Sequence, residues 1–340
     1  MSTSKNAKIQ IETGQTVHDF AVMTDSGDHK VHTISGGDVW SGKSGYEPDV
    51  RPNGMVTGRN VLTAHADDDK VSVAAFTAYS KGVLKSVSGT TTTFTRPATA
   101  SKAKIYSVTM ASDGSLAVVA GTISASTAFS ETRDAAGGPP YIPANSVEVG
   151  QIRVTSSTSA AVDSDEIFQN PGDHCERYDF PVWEESNLGE GLAANSAAKE
   201  NAHIEFASAL TAIHTAGAYK QVYIKYYEPQ LSEMTRAYDF KPAQTSHSAN
   251  SQEYYRGAVA SVSSSLGQGG FTALLSDGIT DSIIVEEDEI LTVKFFQDEN
   301  RTPYILTQGV VGLASGFPAD NQASVAVTVT AEQKSAFFSS

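Results

Sequence analysis

Cysteine is almost absent from this chain. Its 340 residues contain one, Cys175, which excludes an intramolecular disulfide and a thiolate zinc cluster. Charge is scarce as well: Lys, Arg, Asp and Glu together make up 19% of the residues, unlike the Leu/Glu/Lys mixture of a helical protein. Basic residues are the scarcer half, 24 Lys and Arg against 39 Asp and Glu, for a net charge of −15. A protein that grips duplex DNA needs the opposite sign, because phosphate contacts come from Lys and Arg. Long apolar runs are missing too. No stretch approaches the ~18 apolar residues of a membrane helix, and no apolar segment follows Lys5 and Lys8. Neither a membrane partner nor a secretory leader is expected. Folding in a cytoplasm is expected, so the sequon Asn300-Arg-Thr302 is read as chance.

Chemical motifs are equally thin. There is no Gly-x-Ser-x-Gly elbow and no pair of histidines at helical spacing; the 8 His are scattered. His174-Cys175-Glu176 offers metal-ligand types, but no second Cys or neighbouring His completes a set. Asp163, Asp165 and Glu166 lack the glycine turn and closing glutamate of a calcium loop. Gly37-Asp-Val-Trp-Ser-Gly42-Lys43-Ser44 matches the P-loop pattern letter for letter. That pattern works by aiming a helix N-terminus at phosphates. Here Gly45, Pro48 and Pro52 follow, which no helix accommodates. Tyr223, Tyr226 and Tyr227 have the spacing of strand residues, and core or interface packing is the expected role. No catalysis, cofactor or metal is expected.

What the chain has is alternation. Apolar residues are 40% of the total, enough for a real core, and the length suits about two domains. In Ala323–Ala331, Val325, Val327 and Val329 point one way and Ala326, Thr328 and Thr330 the other, the period of a half-buried antiparallel strand. Ile290–Phe296 and Tyr304–Gly309 read the same way. So does Gln221–Tyr227. A hairpin is expected across Val17–Ile34, turning at Ser26-Gly-Asp28. Between Val61 and Val154, strands at Val71–Phe76, Val83–Val87, Ile105–Met110, Leu116–Val119 and Val147–Val154 are separated by Ser80-Lys-Gly82 and Ser112-Asp-Gly114 turns. That spacing predicts a small β-sandwich. Residues 1–13, with Ile9 and Ile11 alternating, predict an arm or a single strand. Gly36–Gly58 predicts a long loop. Ala193–Leu210, Ala-rich and without Gly or Pro, is the best helix candidate, though Ile204 and Phe206 are also compatible with a strand, and Phe271–Leu275 predicts a short helical turn. The acidic clusters Asp67–Asp69, Asp163–Glu166 and Glu286–Glu289 are expected as solvated turns.

Two segments resemble parts of phage virions. Arg96-Pro97, Ser112–Thr122 and Pro139–Ile152 carry a likeness of residues 61–169 to small β-sandwich modules of tail and baseplate proteins. Ser265–Gly270, Leu291–Phe296, Tyr304–Gly309 and Phe317–Asp320 carry a likeness of the chain from about Glu176 onward to major tail tube proteins of tailed phages. The resemblance implies a mainly β fold: a tube-type β-barrel or sandwich domain (1–60 and 170–340) with one flanking helix, and a β-sandwich (61–169) displayed outward. It implies a virion tail protein, assembled in the host cytoplasm. Its copies would form rings, hexamer favoured over trimer, stacked into a channel through which double-stranded DNA passes without specific binding. Implied partners are tape-measure, terminator and baseplate proteins. Ile9, Ile11, Trp40, Tyr46 and Val50 are the candidate inter-ring contacts. Leu291, Val293, Phe295, Val325, Val327 and Val329 are the candidate inter-subunit sheet contacts. The alternative is a tail fibre, baseplate or capsid decoration protein that binds a surface glycan through the sandwich.

Overall fold

The computed structural model describes residues 4–34, 39–58, 60–178, 182–188, 202–210, 212–214 and 218–338. The fold is mainly β: 51% is strand, and among the described residues no helix reaches seven residues. The largest sheet has nine antiparallel strands. Its order is Ala237–Lys241, Gly269–Leu274, Ser324–Thr330, Tyr304–Gly316, Ile290–Phe296, Lys8–Val22, Val222–Glu233, Asp49–Pro52, with Ala336–Phe338 paired to one end of Tyr304–Gly316. The two outer strands do not meet, so the sheet is open rather than a closed barrel.

The alternating C-terminal strands lie where their pattern requires. Val325, Val327 and Val329 are buried, together with Phe271, Leu291, Val293 and Val311, in one cluster on one face of this sheet. The 1–13 segment is a strand, and a central one. Ile9 faces Phe295 and Ile11 faces Val293 across one ladder. The rest of the same strand runs along Val222–Glu233. Central placement satisfies backbone groups on both edges, which an arm would leave to water.

A second core lies under the other end of the sheet. Trp40, Val50, Val222 and Ile224 meet Ile34, Ile204 and Phe206 there. The expected 17–34 hairpin is therefore smaller than its pattern suggested. Only Thr24–Asp25 and Val31–Thr33 pair with each other, while Val17–Val22 pairs with Tyr223–Tyr227. The long 36–58 loop is also partly strand, Asp49–Pro52 and Gly54–Thr57.

The expected helix is corrected in its C-terminal part; residues 193–201 lie outside the described residues. His203–Phe206 is a strand, paired with Trp183–Ser186 and with Val31–Thr33. Ile204 and Phe206 are buried while Glu205 between them is exposed. Tertiary burial of a β-branched and an aromatic residue here outweighs the helix propensity of the alanines before it. Phe271–Leu275 is likewise not a helical turn but belongs to a strand with strictly alternating burial.

The third core runs from Met55 to Cys175 and joins three small sheets. The Ser112-Asp-Gly114 turn links Lys104–Met110 to Leu116–Ala120 as a hairpin. Lys81 and Gly82, both at positive φ, turn Phe76–Ser80 into Val83–Val87. The Val71–Phe76 segment divides: Lys70–Val73 and Phe76–Ser80 belong to different sheets. Arg96 is the anchor on one side. Its buried guanidinium pairs with Asp69 at 2.7 Å and Glu166 at 3.5 Å and donates to the Ala160 carbonyl at 3.1 Å. Asp69 and Glu166 are therefore structural rather than merely solvated. Burial acts to raise the Asp69 carboxyl, but hydrogen bonds from Ser159 and Arg96 outweigh it and hold it below its ordinary value.

One element has no core at all. Thr245–Tyr254 and Gly257–Leu266 form a hairpin with an unbroken ten-residue ladder on each side. Among the described residues it pairs with no other strand. Tyr255 at the tip is fully exposed, and Val262 is 72% exposed.

Candidate functional site

The residues proposed for contact with other copies lie mostly inside this chain. Ile9, Ile11, Trp40, Val50, Leu291, Val293, Val325, Val327 and Val329 are all buried. Trp40 is 1% exposed, with Gln308 donating to its carbonyl at 3.0 Å. Phe295 is part-buried and stacks on Phe240, ring centroids 4.3 Å apart. Tyr46 sets its edge against Tyr227 at 5.2 Å. The alternation that marked these residues is the signature of burial, and it does not distinguish a chain's own core from a neighbour's. Strand edges with no neighbouring strand among the described residues lie elsewhere, including the two outer strands of the nine-stranded sheet and both margins of the 245–266 hairpin.

The P-loop-like segment is also accounted for. Lys43 is bound to Glu286 at 2.5 Å with both side chains largely covered. Its ammonium is spent within the fold.

Among the described residues, titratable side chains concentrate around a cavity of about 720 Å³. Its wall combines Glu131, Arg133, Tyr141, Glu148, Asp173 and His174 with Glu176, Lys220 and the apolar Pro139, Leu210 and Ile213. Backbone pairing brings these together. Glu176 N–H donates to the Glu148 carbonyl at 2.9 Å, and its own carbonyl accepts from Met55 N–H at 2.8 Å. This short stretch is thus clamped between Val147–Val154 and Gly54–Thr57. Gly54 permits the clamp: a Cβ there would stand 2.5 Å from the Arg177 carbonyl carbon.

Most charges in the wall are paired. Arg133 bonds the Glu148 carboxylate and donates to the Pro140 carbonyl at 2.8 Å. Glu148 also accepts from Ser107 at 2.5 Å. Arg153, just behind, holds both Glu131 oxygens at 2.6 and 2.8 Å. Lys220 donates to the Arg177 carbonyl at 2.6 Å. The Asp173 carboxylate accepts from the Asn170 amide.

Glu176 differs. It is buried, and neither of its carboxyl oxygens has a hydrogen-bond partner. Burial pushes its carboxyl up to about 8; the Glu148 carboxylate adds to the shift, while Lys220, Arg133 and a weak approach of the Glu148 N–H, outside normal hydrogen-bond geometry, oppose it. Such an acid is neutral at pH 7 and carries an open hydrogen-bonding capacity. Beside it Cys175 is buried, its thiol donating to the Gln169 carbonyl at 3.5 Å. Among the described residues no group of three or more His, Cys, Asp and Glu could hold a metal ion. His174, Cys175 and Glu176 all belong to the cavity wall. In the sequence only the polar type of these residues is visible. Their meeting with Lys220 and Arg133 depends on contacts between distant segments.

Among the described residues no helix is long and apolar enough to cross a membrane. No protein-family model, curated protein or solved structure matches this chain.

Proposed function

We propose that this protein is a structural, self-assembling subunit: a tail tube component of a tailed-phage virion whose copies close into rings and stack. The observation that carries the reading is the 245–266 hairpin. A two-stranded ribbon without a packed face is marginal in water on its own. Its exposed margins present rows of N–H and C=O groups ready for another chain. A second copy supplies such an edge, in the outer strands Ala237–Lys241 and Asp49–Pro52. The hairpin is also nearly uncharged, with Glu253 and Arg256 as its only acid and base. In a chain of net charge −15 such a segment lets copies approach with little repulsion. Rings of this kind remove open edges by symmetry, and an axial repeat of the contact makes a tube. An acidic wall would let DNA pass without adhesion. The same reading assigns no catalysis and makes the other tail proteins its partners.

The test is electron microscopy and sedimentation of the purified protein, alone and with virion partners. Rings or short tubes are expected. Replacing residues 246–265 by a Gly-Gly turn should abolish them while leaving the unfolding midpoint of the subunit unchanged. Monomers at every concentration, with partners present, would overturn the reading.

A further inference from the structure

The cavity around Glu176 is independent of any assembly contact. Its volume of about 720 Å³ is that of a small-molecule site, and its wall has both a charged side and an apolar side. The charges are unevenly committed. Arg133 and Lys220 in the wall, and Arg153 behind it, each already donate to a carboxylate or carbonyl, and Arg177, also in the wall, is partnered too. Among the acids, Glu131, Glu148 and Asp173 already accept. Glu176 has two buried oxygens with nothing donating to them. Leaving a buried carboxyl unbonded costs free energy that a fold ordinarily avoids. An incoming donor would recover it, and an incoming anion would find the cations of the wall already engaged.

We propose that this cavity binds a small organic cation, an alkyl ammonium or alkyl guanidinium. Its charged head sits on the Glu176 carboxylate and its carbon chain lies along Pro139, Leu210 and Ile213. Binding requires Glu176 to ionise, so one proton leaves the carboxyl for solvent as the cation arrives. The cation itself keeps its charge throughout. Lys220 and Arg133 on one side and Glu148 on the other set how readily that proton leaves.

Isothermal titration of the full chain tests this, with n-butylamine and butylguanidine as probes and butyrate as the anionic control. Both cations should bind and butyrate should not. Heats measured at one pH in phosphate and in the zwitterionic buffer PIPES, whose ionisation enthalpies differ, should differ by the ionisation of one proton. Affinity should rise roughly tenfold per pH unit over about pH 6 to 7, where the acid is still protonated in the free protein. Glu176→Gln should weaken both cations by roughly tenfold or more. Ala209→Trp, at an exposed lining position, should block the cavity without touching the acid. No heat from either cation in the unmodified protein would overturn the proposal. So would butyrate binding as tightly as butylamine, or a Glu176→Gln protein that binds like the parent. Since no ring or tube enters the measurement, failure here leaves the assembly reading intact, and failure of assembly leaves this site intact.

Discussion

Replacing Glu176 by Gln should make this protein more stable, and increasingly so as the pH rises. The carboxyl is buried without a hydrogen-bond partner, and its folded-state value is pushed up to about 8 from the ordinary 4.5. In the unfolded chain it ionises near 4.5; in the folded chain it keeps its proton until about 8. Between those values the folded state binds the extra proton, so stability falls as pH increases. The contribution is fully present below about 4.5 and gone above about 8. At about 1.4 kcal/mol per unit, the whole window carries on the order of 5 kcal/mol. Gln keeps the shape and cannot ionise. Urea unfolding of both proteins from pH 5 to pH 8.5 should give curves that diverge steadily, the variant exceeding the parent by a few kcal/mol at the alkaline end. Two curves that run parallel across that range would refute the assignment, because every other titrating group is common to both proteins.

Trp40→Ala should cost about 3–5 kcal/mol in urea unfolding, because the indole is 1% exposed in the second core; a residue serving only ring-to-ring contact would leave subunit stability unchanged. Arg133→Met should cost about 3–5 kcal/mol by leaving Glu148 buried and unpaired. Changing Glu148 to Met as well should restore most of that loss. Burial pushes His203 down to about 4, and its Nδ1 has no partner. Folding therefore excludes a proton that the unfolded chain binds below about 6.5, so stability should fall as pH drops from there towards 4; in His203→Phe this acid loss should be smaller.

Much of the strand content was legible because period-two alternation survives wherever one face of a sheet is buried. Val325, Val327 and Val329 could be placed from that signal alone, and so could the turn at Ser112-Asp-Gly114. Strand pairing over long distances could not be read. Nothing local tells Lys8–Val22 that its partners are Ile290–Phe296 and Val222–Glu233, so it was equally an arm. Where propensity and burial disagreed, as at His203–Phe206, propensity misled. The contact residues misled for a related reason: apolar alternation reports that a side chain is covered, not by which molecule. The cavity was the least legible. Glu176 stood out only as a neighbour of Cys175, and the loss of its hydrogen bonds arises from the clamp between Glu148 and Met55.

The hairpin at 245–266 also constrains how such a protein can change. Its ladder runs without a bulge from Thr245↔Leu266 to Tyr254↔Gly257, and successive side chains alternate between its two faces. Removing one residue from a single strand would turn every side chain beyond it to the opposite face. Removing two consecutive residues from each strand would preserve the pattern and shorten the projection by about 7 Å. Viable variation in reach is thus quantised, and natural or engineered versions should differ in hairpin length by even numbers of residues per strand.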